Sequence, residues 1–470
     1  MVFNSLVFLV FFLVVYGLYR ALPHRGQNVL LLVSSYFFYG WWDWRFLSLI
    51  FISTLVDFWA GLAIEKAEDN QRRRRIALLV SMVSNLGILG FFKYFNFFAD
   101  NLVVLLQSLG VAMAPRHLNI ILPVGISFYT FQTMSYTLDI YRRQMRPTRN
   151  FLDFATFVSF FPQLVAGPIE RASRLLPQIQ NPRIITRADM SSGTWLVAWG
   201  LFKKCVIADN LAVLVDGAFG AAAPSGAVTL VALYAFAFQI FCDFSGYSDI
   251  ARGLARWMGV DLMVNFNNPY FALNPKDFWA RWHISLSSWL RDYLYIPLGG
   301  SRKGRRRTYI NLALTMLLGG LWHGAAWTFI AWGAFHGLLL VGYHAWVQRF
   351  SPKGTVDSGR WIWLRRIGMF HLVCVGWLFF RASSMGQAGE MWTRIFTGFA
   401  WDARAGDMLL ALIVFCLPLW LVQVLQVKTG DLEAAPQLSL LPRVALYATM
   451  ILMFLALGNT GGGAFIYFQF

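Results

Sequence analysis

Charge is what this 470-residue sequence has least of: 13% of its residues are Asp, Glu, Lys or Arg, against roughly a quarter in soluble domains. That scarcity excludes an ordinary soluble enzyme. Cysteine is scarce too, and Cys205, Cys242, Cys374 and Cys416 stand far apart, which excludes a disulfide framework and a CxxC metal site. There is no HExxH pair and no close His/Cys grouping, so no metal is expected. A GxSxG elbow, a Walker loop and GxGxxG are also missing, which argues against serine-elbow hydrolysis and nucleotide hydrolysis.

What fills the chain is apolar: 57% hydrophobic residues, with 43 Phe and 20 Trp. Apolar runs occupy residues 2–19, 28–42, 46–64, 76–92, 95–109, 120–140, 151–166, 195–219, 228–244, 310–322, 327–346, 361–380, 408–427 and 441–457. Several fall short of the roughly 20 residues that a full span needs, so tilted or re-entrant half-helices are expected among complete spans. The pattern predicts an all-α integral membrane protein, polytopic, with residues 1–470 as one membrane domain. Because such runs recur throughout, residues 2–19 read as a retained first span rather than a removable signal.

Lys and Arg number 40 against 23 Asp and Glu, a net charge of +17. In a membrane protein this marks cytoplasmic loops rather than nucleic-acid binding. The basic clusters are residues 72–75, 142–149, Lys203 with Lys204, and SRKGRRR at 301–307. Three apolar runs separate the first two clusters, an odd number, so one should not cross. The best candidate is 120–140, where Pro123 and Gly125 interrupt a helix and the backbone must be buried in protein or line a cavity. The same holds around Pro162, Gly167 and Pro168.

Polar groups at membrane depth are costly and face a protein interior or a cavity. They concentrate in three places. DFSGYSDIARG carries Asp243, Ser245 and Asp249; DFWARWHISLSSWLRDYLYIPLGG carries His283; GGLWHGAAWTFIAWGAFHG carries His323 and His336. In the second, helical spacing relates Asp277 to Arg281, Trp279 to His283 and His283 to Ser287. In the third, thirteen residues on one continuous helix would put the histidines about 220° and nearly 20 Å apart. Gly319, Gly320 and Gly324 predict a break that presents His323 to a cavity, while His336 reads as a packing histidine bonded to a carbonyl. A neutral imidazole takes a proton from a hydroxyl nucleophile and returns it to a leaving group, which suits acyl transfer from a thioester. Spacing alone leaves a proton-coupled transporter open. Arg302, Lys303, Arg305 and Arg306 read either as a topology-setting loop or as a basic rim for an anionic donor such as a coenzyme A nucleotide.

FWARWHISLSSWLRDYLYIPLGGSRKG followed by NLALTMLLGGLWHGAAWTFIAWGAFHG resembles the membrane-bound O-acyltransferase family, in the bacterial branch typified by the membrane subunit of alginate O-acetyltransferase. The likeness extends through SSYFFYGWWDWRFL, FFKYFNFF, ILPVGISFYTFQTMSYTLDIYR, FPQLVAGPIER, DFSGYSDIARGLA, NFNNPY and FIYFQF. It implies about a dozen tilted helices with re-entrant segments around a central funnel. His323 matches the family's essential histidine, and His283 matches a second polar position that is histidine in this branch and Asn or Asp in others. Also implied are acetyl-CoA as donor, a bacterial inner-membrane location, and a periplasmic or membrane-anchored esterase-like subunit completing transfer to an exported polysaccharide. D-alanyl, peptidoglycan or lipid acylation are the alternatives within the family.

Overall fold

The computed structural model describes residues 1–114, 117–350, 359–459, 461, 465 and 466, and is helical, with no strand, among them. The end of the FIYFQF motif, residues 467–470, lies outside the described residues. Among the described residues, seven helical segments are long and apolar enough to cross a membrane: His24–Lys66, Gln71–Ser108, Gly226–Trp257, Trp327–Phe350, Trp361–Arg381, Ala403–Thr429 and Leu440–Leu457. Leu6–Ala21 is apolar but shorter, at 16 residues. The chain is a polytopic membrane protein. Several of its helices start on side-chain caps: Ser5 accepts from the Phe8 amide and Asn70 from that of Arg73, satisfying donors that a helix start leaves open.

The chain divides into two compact units, Met1–Gly193 with Ala251–Met263, and Thr194–Ile250 with Val264–Phe470. In the first, the runs 76–92 and 95–109 join into one segment, Gln71–Ser108, through a widened turn at Gly90–Tyr94. That fusion removes the odd count on which the argument for a non-crossing run rested. The 120–140 run breaks where expected. Its helix, Ile126–Tyr141, begins only after Gly125, which takes φ +75°, and is buried along almost its whole length. The backbone around Pro162 and Pro168 is likewise buried, as irregular backbone in a membrane protein must be. Polar side chains join the helices of this unit. Asn85 donates to Asp57 Oδ2 at 2.8 Å and Ser53 donates to Asn85 Oδ1 at 2.6 Å.

The helix Gly226–Trp257, whose residues 226–250 belong to the second unit, has 83% of its most apolar stretch buried, whereas only 6% is buried in Leu440–Leu457. Here one expectation fails. Lys203 and Lys204 are no cytoplasmic marker, being 3% and 7% exposed within the helical turn Phe202–Ala208. Lys203 pairs with Asp249 at 2.6 Å, and Lys204 with Asp243 at 2.7 Å and Asp209 at 2.8 Å. Buried cations need such partners; Asp209 is five residues from Lys204, whereas Asp243 and Asp249 come from the DFSGYSDIARG motif about forty residues on, a pairing invisible to a local reading. Asp243 also accepts from the Ile466 amide at 2.7 Å.

Candidate active site

The second unit brings His283 and His323 together, with ring centroids 6.4 Å apart. The Pro275–Arg281 helix leads to the first. Asn274 caps it by accepting from the Asp277 amide, and Asp277 pairs with Arg281 at 2.7 Å, as the spacing predicts. The helix then stops: Trp282 is extended and His283 takes φ 43°, ψ 54°. Trp279 and His283 therefore do not share a helix face. The next helix, Ile284–Leu290, starts on His283, whose carbonyl accepts from the Ser287 amide at 2.9 Å.

Asn265 fixes the His283 ring. Its Oδ1 lies 3.1 Å from His283 Nδ1, 3.2 Å from the Ser285 amide nitrogen and 2.9 Å from Ser285 Oγ. A backbone N–H only donates, so the amide atom facing it is the oxygen. His283 Nδ1 therefore carries the hydrogen of this bond, and in the neutral ring Nε2 holds the basic lone pair. The ring is fully buried against the edge of Phe244 at 4.7 Å. Burial pushes its pKa down to about 3, which keeps it neutral at physiological pH.

His323 is the last residue of the Arg305–His323 helix, where extended Gly324 ends the turn before Trp327–Phe350 begins. The two histidines of GGLWHGAAWTFIAWGAFHG thus lie on separate helices, with the break where the glycines predict it. The helices cross closely at Gly320 and Gly333. A β-carbon at Gly320 would come within 2.3 Å of the Phe329 carbonyl oxygen, and one at Gly333 within 2.4 Å of that of Met316. This crossing sets His323 edge-on to Trp332 at 5.0 Å, with Phe380 at 5.3 Å.

His323 lines a cavity of about 380 Å³ whose wall includes Trp279, Ser287, Thr315, Met316 and Trp332, with Lys276 and Arg291 as its cations. Arg302, Lys303, Arg305 and Arg306 do not line it and are exposed. His336 also meets Trp332, at 4.9 Å, and is caged by Phe278, Trp279 and Phe335. Contrary to expectation, no carbonyl bonds it: neither ring nitrogen has a hydrogen-bond partner among the described residues. Gly376 leaves the room it needs, since a β-carbon there would sit 2.6 Å from His336 Nε2. Sequence reasoning missed Asn265, Lys276 and Arg291 as members of the site. The available signal was the NFNNPY stretch, whose asparagines stand among aromatics eighteen residues before His283.

Residues 36–385 match the model of the membrane-bound O-acyltransferase family. The chain is 45% identical over 403 residues to a "Probable alginate O-acetylase AlgI" of Azotobacter vinelandii, covering 85% of this chain and 79% of that protein. It is 37% identical over 421 residues to a "Peptidoglycan O-acetyltransferase" of Helicobacter pylori, 83% of this chain and 78% of that one. A "Teichoic acid D-alanyltransferase" of Streptococcus thermophilus is 30% identical over 253 residues, 50% of this chain and 60% of that one.

Proposed function

The chain belongs to the membrane-bound O-acyltransferase family, and on that premise we propose that it moves an acetyl group from cytosolic acetyl-CoA toward hydroxyls of an exported polysaccharide such as alginate. The observation that carries the reading is the pairing of His323, on the wall of the cavity, with His283 at 6.4 Å. His323 acts as general base: it takes the proton of the attacking hydroxyl as the new C–O bond forms at the thioester carbonyl. The C–S bond then breaks and the proton leaves with coenzyme A as its thiol. His283, held neutral with Nδ1–H on Asn265, plays a supporting part beside His323 from outside the cavity lining. Lys276 and Arg291 offer positive charge to an anionic donor at the cavity itself, and Arg302, Lys303, Arg305 and Arg306 raise its local concentration from the exposed turn.

In this reading residues 1–470 work as one catalytic domain in a bacterial inner membrane, and a periplasmic or membrane-anchored esterase-like subunit completes transfer to the polymer. The similarity to the peptidoglycan enzyme over 83% of the chain favours that polymer as the second acceptor to test. Reconstituted protein supplied with acetyl-CoA, acceptor and partner should release free coenzyme A. His323→Ala should lower that release by roughly 10²- to 10⁴-fold while acetyl-CoA still binds. Full release by this variant overturns the role of His323, and flux of acyl precursor without thiol release would favour a transporter instead.

A further inference from the structure

The first unit holds a second cavity, of about 950 Å³, remote in sequence from the histidines and lined by the ends of helices Leu47–Lys66, Gln71–Leu89 and Ile126–Tyr141 with residues 143–149. Arg74, only 5% exposed, forms part of its wall. Its Nη atoms donate to the carbonyls of Glu68 at 3.2 Å, Ile140 at 3.4 Å and Tyr141 at 2.6 Å. Its buried Nε has no hydrogen-bond partner, and no carboxylate pairs with it, among the described residues. A guanidinium charge removed from water without a counter-ion is costly, and a cavity at its side is where an anion would offset that cost.

The rim supplies more positive charge. Arg143 and Arg149 face Asp69 and Glu65 at 3.5 and 3.6 Å, with arginine side chains 64% and 85% exposed, and pairs of that kind hold weakly. Arg146 also lines the cavity and is exposed. Lys66, Arg74, Arg143, Arg146 and Arg149 outnumber the acids Glu65, Glu68 and Asp69 in the lining. The cavity also sits where two membrane-spanning segments meet, His24–Lys66 ending and Gln71–Ser108 beginning, which is the depth of lipid headgroups.

We propose that this cavity binds the phosphate of an anionic phospholipid headgroup, with Arg74 at the wall and Arg146 and Arg149 closing over it. The test is native mass spectrometry of the full chain in detergent, titrated with phosphatidylglycerol or phosphatidylcholine, and separately with inorganic phosphate. Phosphatidylglycerol should bind in preference to phosphatidylcholine. Arg146→Glu with Arg149→Glu should weaken it by roughly thirtyfold or more, at about 1 kcal/mol per cation lost. Arg72→Glu with Arg73→Glu makes the same change of charge on residues that do not line the cavity and should weaken it less than about threefold. Equal weakening by both pairs would reduce the site to a diffuse basic surface and overturn the proposal. So would equal binding of phosphatidylcholine, or displacement of the lipid by millimolar inorganic phosphate, which would make the ligand a soluble phosphate. An unchanged thermal midpoint for both double variants separates lost binding from lost folding.

Discussion

His283 and His336 are equally buried, each at 0% exposure, yet their surroundings differ in kind. Asn265 gives the first ring a hydrogen-bond acceptor, and with it a defined tautomer and a basic nitrogen. The second is packed between indoles and phenyl rings, and both its nitrogens are left without partners. Depth in the protein therefore does not by itself single out a candidate histidine. What does is a polar neighbour that decides where its proton sits, or access to space. His323 has the access, His283 has the neighbour, and His336 has neither.

The contrast is tested most severely at His323. Replacing it with Ala should lower coenzyme A release by roughly 10²- to 10⁴-fold, the range that a positioned general base contributes, and a smaller loss measured by a thiol assay would break the comparison at its strong end. His283→Asn should come next, with turnover falling by about ten- to a hundredfold and an unchanged thermal midpoint, because asparagine accepts the left-handed backbone. His283→Val, by contrast, should also lower the midpoint, by about 1–2 kcal/mol of backbone strain. A smaller effect is expected at Asn265. A carboxylate in Asn265→Asp would favour the imidazolium and raise the His283 pKa from about 3, moving the acid limb of kcat/KM to higher pH. Asn265→Leu should lower the rate without that shift, and the two profiles separate positioning from packing. In the native chain the sign is fixed by the same depressed pKa. The stability His283 contributes is present above the unfolded value near 6.5 and is lost as pH falls toward 3. The smallest effect belongs to His336→Phe, for which turnover should stay within about threefold and the thermal midpoint should hold or rise, since two unpaired buried nitrogens disappear. Collapse of turnover in that variant would show that the aromatic cage hides a working residue.

Much of this was legible in the chain. The scarcity of charge and the recurring apolar runs sufficed for a polytopic helical membrane protein, and the glycines around His323 for the break that ends its helix. Local spacing also gave the Asp277–Arg281 pair. What escaped was set by contacts between residues far apart in sequence. Asp249 and Asp243, which pair with Lys203 and Lys204, lie forty or so residues away on another helix, so the lysines read as a loop. Asn265 reaches His283 only because the chain turns back between them. The runs 76–92 and 95–109 looked separate because an apolar count does not register a helix that widens at Gly90–Tyr94 and continues.

The left-handed backbone at His283 also acts as a filter on which residues the position accepts. A positive φ disfavours β-branched and bulky side chains, and beyond glycine it is tolerated best by Asn, Asp and His. Those three are also the residues that the family resemblance implies at this position. Before any chemistry is selected, then, the turn between two short helices has already narrowed the choice to side chains that accept a hydrogen bond. The fold restricts which residues it accepts at this one peptide.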